Sequence, residues 1–289
     1  MKIRSQVYPH SYYDLMHCST CTHIFLGLMP TQEELRVFYS RNYKPYNVAR
    51  SQRGWRAKLR ERVHRWIYGP GSQTSRVALA FRWILPNYPT YVPKGVLLDV
   101  GCGAGTILQE LSALGWQCEG IDVEPTIREK LAAHNILVHV GDALDILRQC
   151  PPEHYDAVLS CHSLEHLASP LDVVKEIARV LRPGGQFVVT VPNHDSWLAK
   201  RYKDKWFALE CPAHIHIFSI QSLTYLLTTC GLKVTRIFCS EIASTLCHLR
   251  SGQPSSNLCA ELLPVFAEVR ARFANFFLKG DVVTVHAEK

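Results

Sequence analysis

Three features that would place this chain in a membrane or in an oxidising compartment are missing from its sequence. No run of apolar residues is long enough to span a bilayer. Residues 1–10 lack the apolar centre of a secretory signal. The 11 cysteines are odd in number and follow no framework spacing, so we expect reduced thiols rather than disulfides. We therefore expect a cytoplasmic protein with no transmembrane segment.

Internal repeats and low-complexity linkers are also missing. The chain has 289 residues, of which 47% are hydrophobic, and this length and composition predict one substantial core with an appended subdomain. The net charge of +7 is concentrated, because Arg50–Arg65 contains seven basic residues against one acid, Glu61. This basic segment has three interpretations: a solvated face of a packed helix, attraction of an acidic or carrier-bound partner, or contact with an anionic membrane surface. No recognised RNA-binding module accompanies it, so nucleic acid is not the expected partner.

A strand-forming run is followed directly by a glycine-rich turn. Val96–Val100 is a short β-favouring apolar run of the kind found inside a parallel sheet. Gly101, Gly103 and Gly105 then let the backbone turn sharply and approach a ligand without a Cβ in the way. Thr106–Leu114 follows as a helix, so the sequence predicts a pocket shaped for a nucleotide.

The glycine spacing does not match the dinucleotide fingerprint G-x-G-x-x-G. Counted from Gly101, Thr106 stands where the third glycine is required, and counted from Gly103 the position is Leu108. Asp99 comes just before the glycines and would repel a pyrophosphate at close range. A carboxylate at this place suits a cationic or amine-bearing ligand.

From residue 94 onward, short apolar runs alternate with helix-like segments, which is typical of βαβ units and a parallel sheet. The predicted strands are Val96–Val100, Cys118–Val123, Leu137–Val140, Ala157–Ser160, Gln186–Val191, Leu232–Cys239 and Asp281–His286. The predicted helices of this part are Thr106–Leu114, Pro125–His134, Leu171–Leu181, Ile220–Cys230 and Ser256–Phe277. The segment 193–218 is an excursion from the core. Earlier helices are predicted at Thr31–Tyr39, Val48–Tyr68 and Ser75–Leu85.

The Asp-x-Gly-x-Gly-x-Gly arrangement from Asp99 to Gly105 resembles the first motif of class I S-adenosylmethionine-dependent methyltransferases. Within that family the chain is similar to a small-molecule subgroup that often carries an N-terminal zinc ribbon. The resemblance implies a Rossmann-like α/β fold, with helices on both faces of a seven-stranded sheet whose last strand is inserted antiparallel. It implies a degenerate ribbon remnant and helical lid at 1–93, a methyltransferase domain at 94–289, and S-adenosylmethionine as cofactor.

Two carboxylates extend the resemblance to the cofactor site. Asp122 ends the second strand, where such folds place a carboxylate on ribose hydroxyls, and its alternative role is a solvated turn residue. Asp142 stands where the family holds the adenine amino group, with Ala143 supplying a backbone N–H. The alternative for Asp142 is a helix N-cap. Tyr43 lies in a segment that folds over the cofactor in relatives.

The segment Tyr155–His166 resembles the fourth-strand motif of small-molecule methyltransferases. In that motif, Cys161 and His162 border the methionine part and the methyl group of the cofactor. Nucleobase amino-methylases carry Asn/Asp-Pro-Pro-aromatic here, so its absence argues against methylation of a base amine. Some quinone O-methyltransferases place two glutamates and a histidine at this spacing, which raises a metal alternative for His162, Glu165 and His166. We expect no metal.

The segment Trp206–Ser219 resembles the Trp…Pro-x-His-x-x-x-Phe-Ser segment of a subgroup from bacterial biosynthetic pathways. In an extended chain His214 and His216 would point the same way, and either is a candidate general base for a substrate hydroxyl. The alternative for His214 is a hydrogen bond that orders a loop.

Cys18 and Cys21 match one Cys-x-x-Cys pair of the zinc ribbon. The other pair is missing, and only His10 and His17 are available as substitutes. Two cysteines cannot close a tetrahedral structural site alone, so we expect a metal-free remnant.

Together these motifs predict an S-adenosylmethionine-dependent methyltransferase acting on a small-molecule acceptor in a biosynthetic pathway, with O-methylation favoured. An RNA methyltransferase and a non-catalytic S-adenosylmethionine-binding module are the alternatives. Because a sulfonium donor needs little activation, catalysis would consist mainly of aligning the nucleophile with the methyl–sulfur bond and excluding water.

Overall fold

The computed structural model describes residues 2–4, 12–31, 33–35, 37, 55–72, 87–240 and 277–289. In these ranges the strands are β1 Lys2–Arg4, β2 Tyr12–His17, β3 Ile24–Leu26, β4 Val96–Val100, β5 Gln117–Asp122, β6 Leu137–Val140, β7 Tyr155–Cys161, β8 Leu181–Pro192, β9 His216–Ile217, β10 Lys233–Ser240 and β11 Val282–Glu288. The α-helices with defined bounds are α1 Trp55–Tyr68, α2 Thr106–Ala113, α3 Thr126–Ala132, α4 Ala143–Gln149, α5 Pro170–Val180, α6 Trp197–Tyr202 and α7 Ile220–Thr229.

A seven-stranded sheet forms the centre of the molecule, in the order β10-β11-β8-β7-β4-β5-β6. Strands β8, β7, β4, β5 and β6 run parallel to one another, whereas β11 pairs antiparallel with both β8 and β10. This is the α/β arrangement that the resemblance implied, including the antiparallel last strand. The carboxyl ends of β4, β5, β6 and β7 therefore meet at one edge, where open α/β sheets bind ligands.

Strand β4 shows why the sheet is buried on both faces. Leu98 and Val100 pack into a core cluster with helices α4, α5 and α7, and Leu97 packs into a second cluster with α2 and α3. Alternate residues of a strand point to opposite faces, so a nearly continuous apolar run serves a sheet covered on both sides. The sequence prediction for this strand matches its observed bounds.

Strand β8 begins earlier than its sequence predicts. We expected Arg182–Gly185 to separate the preceding helix from a strand starting at Gln186, but α5 ends at Val180 and β8 starts at Leu181. Tyr155 is paired with Leu181 and Ala157 with Gln186, so the ladder with β7 contains a register shift. The extra residues are accommodated as an irregularity inside the strand rather than as a loop.

The N-terminal strands form a separate four-stranded antiparallel sheet with the excursion, in the order β1-β2-β3-β9. Leu15 and Leu26 pack in one core cluster with Trp206 and Ile217. None of these four strands was predicted from the sequence. Strand β9, for example, has two residues and is nearly two hundred positions from its partner β3. The division of the chain at residue 93 remains a prediction.

Three sequence predictions fall wholly or mainly outside the described residues: Tyr43, the helix Ser75–Leu85 and most of Ser256–Phe277. The predicted helix Val48–Tyr68 is seen as α1 from Trp55 onward. At the predicted Thr31 helix start, the Thr31 hydroxyl accepts from the N–H of Glu34, and the Glu34 carboxylate accepts from the N–H of Thr31. None of the helices in the described ranges combines the length and apolarity needed to cross a membrane.

Leu26 tests the hydrophobic core that the N-terminal sheet shares with the excursion, because its side chain is buried there and is 4% exposed. We expect Leu26→Ala to lower the free energy of unfolding by about 2–5 kcal/mol, because it removes buried methyl groups and leaves a cavity. Leu28→Ala is the matched control, since Leu28 is 77% exposed and its loss should stay within about 0.5 kcal/mol. Urea unfolding measures both, and equal effects would contradict the shared core.

Candidate active site

The glycine turn after β4 is held against the end of β5. The N–H groups of Gly101 and Cys102 both donate to the carbonyl oxygen of Ile121, at 2.8 and 3.1 Å. Gly101 and Gly105 have φ angles of +79° and +69°, in the left-handed region that favours glycine. A Cβ at Gly101 would collide with the side chain of Ser163, so the turn also needs glycine for space.

Asp122 lies directly beside this turn, at the end of β5. Its carboxylate accepts the N–H of Gly103 at 2.8 Å and the N–H of Glu124 at 3.0 Å. The side chain is buried, so the alternative of a solvated turn residue is wrong. Its contact with ribose hydroxyls remains a prediction.

Asp99 is a buried carboxylate just before the turn. It is 2% exposed, and its Oδ1 has no hydrogen-bond partner within the described ranges. Burial, reinforced by the negative charge of Asp122, raises the pKa of Asp99 to about 7. An ammonium group of a ligand would supply the missing partner, so this orphan oxygen fits an amine-bearing cofactor.

Asp142 caps helix α4. Its Oδ1 accepts the N–H groups of Leu144 and Asp145, at 2.9 and 3.3 Å. The N-cap alternative is therefore confirmed. Both recorded bonds end on Oδ1, and contact of Asp142 and Ala143 with adenine remains a prediction.

Cys161 and His162 stand at the end of β7, next to the glycine turn. The Cys161 sulfur accepts a hydrogen bond from the Asn87 side chain at 3.4 Å. Burial, with the charges of Asp99 and Glu165, raises the pKa of the Cys161 thiol to about 12. Cys161 is consequently a thiol near neutral pH and not a thiolate nucleophile.

His162 has a strained backbone and an ionic partner. Its φ is +54°, which is uncommon for a residue with a Cβ, and its N–H donates to the carbonyl of Thr190 on β8 at 2.8 Å. Its Nδ1 lies 3.4 Å from Oε1 of Glu165, and its side chain is 41% exposed. Burial lowers the pKa of His162, but Glu165, aided by Glu210, raises it by more.

Glu165, His166 and His214 form a cluster in which Glu165 and His214 are buried and His166 is partly buried. Nδ1 of His166 donates to the carbonyl of Ala213 at 3.0 Å, and Nδ1 of His214 donates to that of Ala208 at 2.7 Å. Since a carbonyl only accepts, Nδ1 carries the proton in both rings and Nε2 keeps its lone pair when the ring is neutral. Burial lowers the pKa of both histidines, to about 4 for His166.

Glu165 is the charged centre of this cluster. It is 1% exposed, and neither carboxylate oxygen accepts a hydrogen bond from the described residues. Burial alone would raise its pKa, but His162, together with His166 and His214, lowers it to about 2. Ligand-type atoms of Glu165, His166 and His214 lie within 4.8 Å of one another, so these side chains are close enough to share a cation.

His214 and His216 have different neighbours. His214 faces the cluster, and its Nε2 lies 3.6 Å from Oε2 of Glu210. Nδ1 of His216 instead lies 2.9 Å from Nε2 of His23, and the two rings stack with centroids 5.1 Å apart. Burial lowers the pKa of both His23 and His216, that of His23 to about 4.

Two contributors escaped the sequence analysis. His23 gives no local signal, since its partner His216 is distant in the chain. Asn87 links the Cys161 thiol to the hydroxyls of Thr190 and Thr284, again through residues far apart in sequence. Both depend on tertiary contacts that no motif or periodicity records.

Cys18 and Cys21 lie in the turn between β2 and β3, and both are free thiols. The N–H of Cys18 donates to the carbonyl of His23, and the N–H of Thr22 donates to that of Cys18. The turn has the compact form of a Cys-x-x-Cys loop, and its metal-free state remains a prediction.

Residues 73–237, more than half of the chain, match the methyltransferase domain family. The chain belongs to the methyltransferase family. The ubiquinone biosynthesis O-methyltransferase of Yersinia pestis is 34% identical to this methyltransferase over 152 residues, which are 49% of this chain and 62% of that protein. The same enzyme of Yersinia pseudotuberculosis matches equally. The chain thus spans about 62% of the length of the curated relatives it matches.

Solved structures show the same fold. A SAM-dependent methyltransferase from Archaeoglobus fulgidus has a TM-score of 0.52 at 19% identity, covering 82% of this chain and 100% of that one. An S-adenosylmethionine-dependent methyltransferase from Mesorhizobium loti has a TM-score of 0.51 at 17% identity, covering 75% and 99%. The Rossmann-like methyltransferase fold predicted from sequence is confirmed, and S-adenosylmethionine, the cofactor predicted with it, is supported by family and fold.

The ionisation of Asp99 predicts how stability depends on pH. Its folded pKa of about 7 is above the ordinary 3.8, so its stabilising contribution is complete below pH 3.8 and is lost as the pH rises through 7. We expect Asp99→Asn to gain stability over the wild type across that window, by a few kcal/mol in total. Thermal unfolding of the ligand-free protein measures the difference. The exposed Asp204→Asn is the control, and a pH-independent difference for Asp99→Asn would contradict the assignment.

Proposed function

We propose that this protein transfers the methyl group of S-adenosylmethionine to a hydroxyl of a small-molecule acceptor in a biosynthetic pathway. The observation that carries the proposal is the group of imidazoles and a carboxylate beside the carboxyl edge of the sheet, around Glu165. A hydroxyl must lose its proton as it is methylated, whereas a neutral amine attacks through its lone pair. Proton acceptors next to the cofactor edge therefore favour an oxygen nucleophile.

The relatives support the same chemistry. The Yersinia proteins are O-methyltransferases of ubiquinone biosynthesis, and their match covers about half of this chain. We carry over from them the transfer to oxygen and the small-molecule acceptor.

The cofactor contacts are proposed from the geometry at the strand ends. Gly101, Gly103 and Gly105 let the backbone approach the methionine part, and the orphan oxygen of Asp99 takes its ammonium group. Asp122 takes the ribose hydroxyls beside the glycine turn. When bound, the cofactor supplies an electrophilic methyl group on a sulfonium.

The remaining contacts lie along the same edge. Asp142 and Ala143 face the adenine, and Cys161 and His162 border the methyl group. The protein's own part is alignment of the acceptor, exclusion of water and removal of one proton. Tyr43 is proposed to cover the cofactor, and His214 and His216 stay candidates for the base.

The basic segment suggests the charge of the acceptor. Arg62 and Arg65 of α1 are exposed, and they belong to the run of positive charge in the sequence. Such a surface attracts acidic or carrier-bound acceptors. We place the protein in the cytoplasm, where its cysteines would stay reduced.

The cofactor site is tested by isothermal calorimetry with S-adenosylmethionine and S-adenosylhomocysteine. We expect Asp122→Asn to weaken binding of both by about 10- to 150-fold, because a charged hydrogen-bond acceptor is lost. Asp204→Asn should bind as the wild type does, since the Asp204 side chain is exposed and is separated from Asp122 by about 80 residues of sequence. No binding by the wild type would contradict the proposed function.

The acceptor class is tested with radiolabelled S-adenosylmethionine and a panel of catechols, sugar nucleotides, aliphatic amines and RNA. We expect methyl transfer to hydroxylated small molecules, giving base-stable ethers. Transfer to RNA, with binding that weakens steeply as salt rises, would favour the RNA alternative. Cofactor binding with no transfer to any acceptor would favour a non-catalytic module.

A further inference from the structure

We propose that His162 is the general base of the transfer and that Glu165 is the residue that positions it. The inference rests on the proposed function and deepens it, since it names the proton acceptor. It favours His162 over the two sequence candidates, His214 and His216. The motif resemblance places His162 beside the methyl group of the cofactor and also raises it as a metal-ligand alternative. The inference stands on four observations about location, backbone, partner and exposure.

The location is fixed by two neighbouring strands. His162 directly follows β7, and its N–H is bound to Thr190 of β8. The next residue, Ser163, fills the space that a Cβ at Gly101 would occupy. His162 is therefore one residue from a side chain in contact with the glycine turn, beside the place where the methyl group is expected.

The backbone of His162 is held in an unfavourable conformation. Its φ of +54° lies in the left-handed region, which costs about 1–3 kcal/mol for a residue with a side chain. Glycine would adopt this geometry without strain. Such strain is enriched at functional sites, where the surrounding structure imposes it.

The carboxylate charge beside His162 favours one tautomer of its ring. Oε1 of the buried Glu165 lies 3.4 Å from Nδ1 of His162, so the proton of the neutral ring is favoured on Nδ1. Nε2 then carries the lone pair. A carboxylate behind one ring nitrogen also stabilises the imidazolium that forms when the other nitrogen accepts a proton.

Exposure separates His162 from its competitors. Its side chain is 41% exposed, whereas that of His214 is 7% exposed and directed to Ala208, Glu165 and Glu210. His216 is paired with His23. An acceptor entering from solvent therefore finds more of the His162 side chain accessible than of the His214 side chain.

The chemical step balances with the proposed co-substrates. As the acceptor oxygen bonds to the methyl carbon, the carbon–sulfur bond breaks and its electron pair stays on sulfur, giving a neutral sulfide. The hydroxyl proton moves to Nε2 of His162. The imidazolium is stabilised by Glu165 and later loses the proton to water.

The charged and titratable groups facing His162 are Glu165 on the same turn and Glu210 and His214 on the excursion. The two carboxylates favour the imidazolium and outweigh desolvation, so the pKa of His162 lies above its ordinary 6.5. The wild-type rate should therefore rise with pH through this raised pKa and then level off.

The first test uses His162→Gln and a catechol such as 3,4-dihydroxybenzoate, or whichever hydroxylated acceptor of the panel is turned over. We expect kcat/KM at neutral pH to fall by about 10²- to 10⁴-fold and the histidine inflection to disappear. Affinity for S-adenosylhomocysteine should stay within about threefold, by calorimetry. His134→Gln is the matched control, because His134 is exposed and precedes β6 at the opposite edge of the sheet. Wild-type kcat/KM in His162→Gln would overturn the proposal.

The second test separates positioning by Glu165 from a merely structural role. In Glu165→Gln we expect the inflection to move to lower pH as well as a lower rate, because the imidazolium loses its carboxylate. A loss of folding would lower the rate equally at all pH values. The exposed Glu129→Gln is the control. An unmoved inflection would overturn the role of Glu165.

A readout that needs no acceptor completes the design. Nuclear magnetic resonance of the imidazole, assigned with His162→Gln, follows its titration in the full chain. We expect a pKa above 6.5 in the wild type and a lower one in Glu165→Gln, and equal values would overturn the pairing. If the wild type does not bind the cofactor, the proposed function is contradicted. The imidazole titration still decides whether Glu165 is paired with His162, because it needs neither cofactor nor acceptor. A third outcome would also overturn the proposal that His162 is the general base. In that outcome EDTA abolishes the activity, Mg²⁺ restores it and His162→Gln does not change it, which would indicate a metal-dependent reaction.

Discussion

Two backbone hydrogen bonds, from Gly101 and Cys102 to the carbonyl of Ile121, hold the candidate site together. They tie the turn after the central strand to the end of its neighbour. Because the turn sits there, Gly103 can donate to Asp122, and the side chain of Ser163 can approach Gly101. Asp122 and the loop that carries His162 are thus positioned by one turn. Its geometry depends on backbone conformations that favour glycine.

The site contains two buried carboxylates with opposite behaviour. Asp99 faces the charge of Asp122, and its pKa is raised, whereas Glu165 is surrounded by histidines, and its pKa is lowered. Burial acts in the same direction on both, so the neighbours decide the difference. Asp99 is ready to gain a cationic partner from a ligand. Glu165 already holds its counter-charge within the protein. One carboxylate suits cofactor binding and the other suits support of an imidazole.

Local sequence patterns predicted the central sheet well, because each strand and helix there has its own periodicity and end signals. The strands Val96–Val100 and Leu137–Val140 match their observed bounds, and the antiparallel last strand was expected from the family. The early start of β8 was missed, since a register irregularity lets glycine and proline residues lie inside a strand. Capping by Asp142 was foreseen as an alternative. The strands and the helix cap that were predicted depend on interactions between residues close together in the sequence.

The parts that escaped prediction depend on contacts across the chain. The pairing of His216 with His23 joins residues 193 positions apart, and β9 exists only because β3 lies beside it. The pKa of His162 likewise depends on the charge of Glu210, which lies in the excursion. Motif resemblance identified the segment that carries His214 and His216. An extended chain would point both side chains the same way, but in the structure the two rings face different neighbours. Side-chain direction in an irregular segment follows tertiary packing, which the spacing of residues does not encode.

The shared sheet of the N-terminal strands and the excursion has a consequence for shortened forms of the chain. A fragment beginning at residue 94 would keep every strand of the central sheet yet uncover Trp206 and Ile217 and leave the backbone of β9 unpaired. An apolar face beside an open strand edge is a template for intermolecular pairing. The fragment would thus be aggregation-prone even though it keeps the central sheet, and the segment that carries His214 and His216 would lose the surface against which it packs.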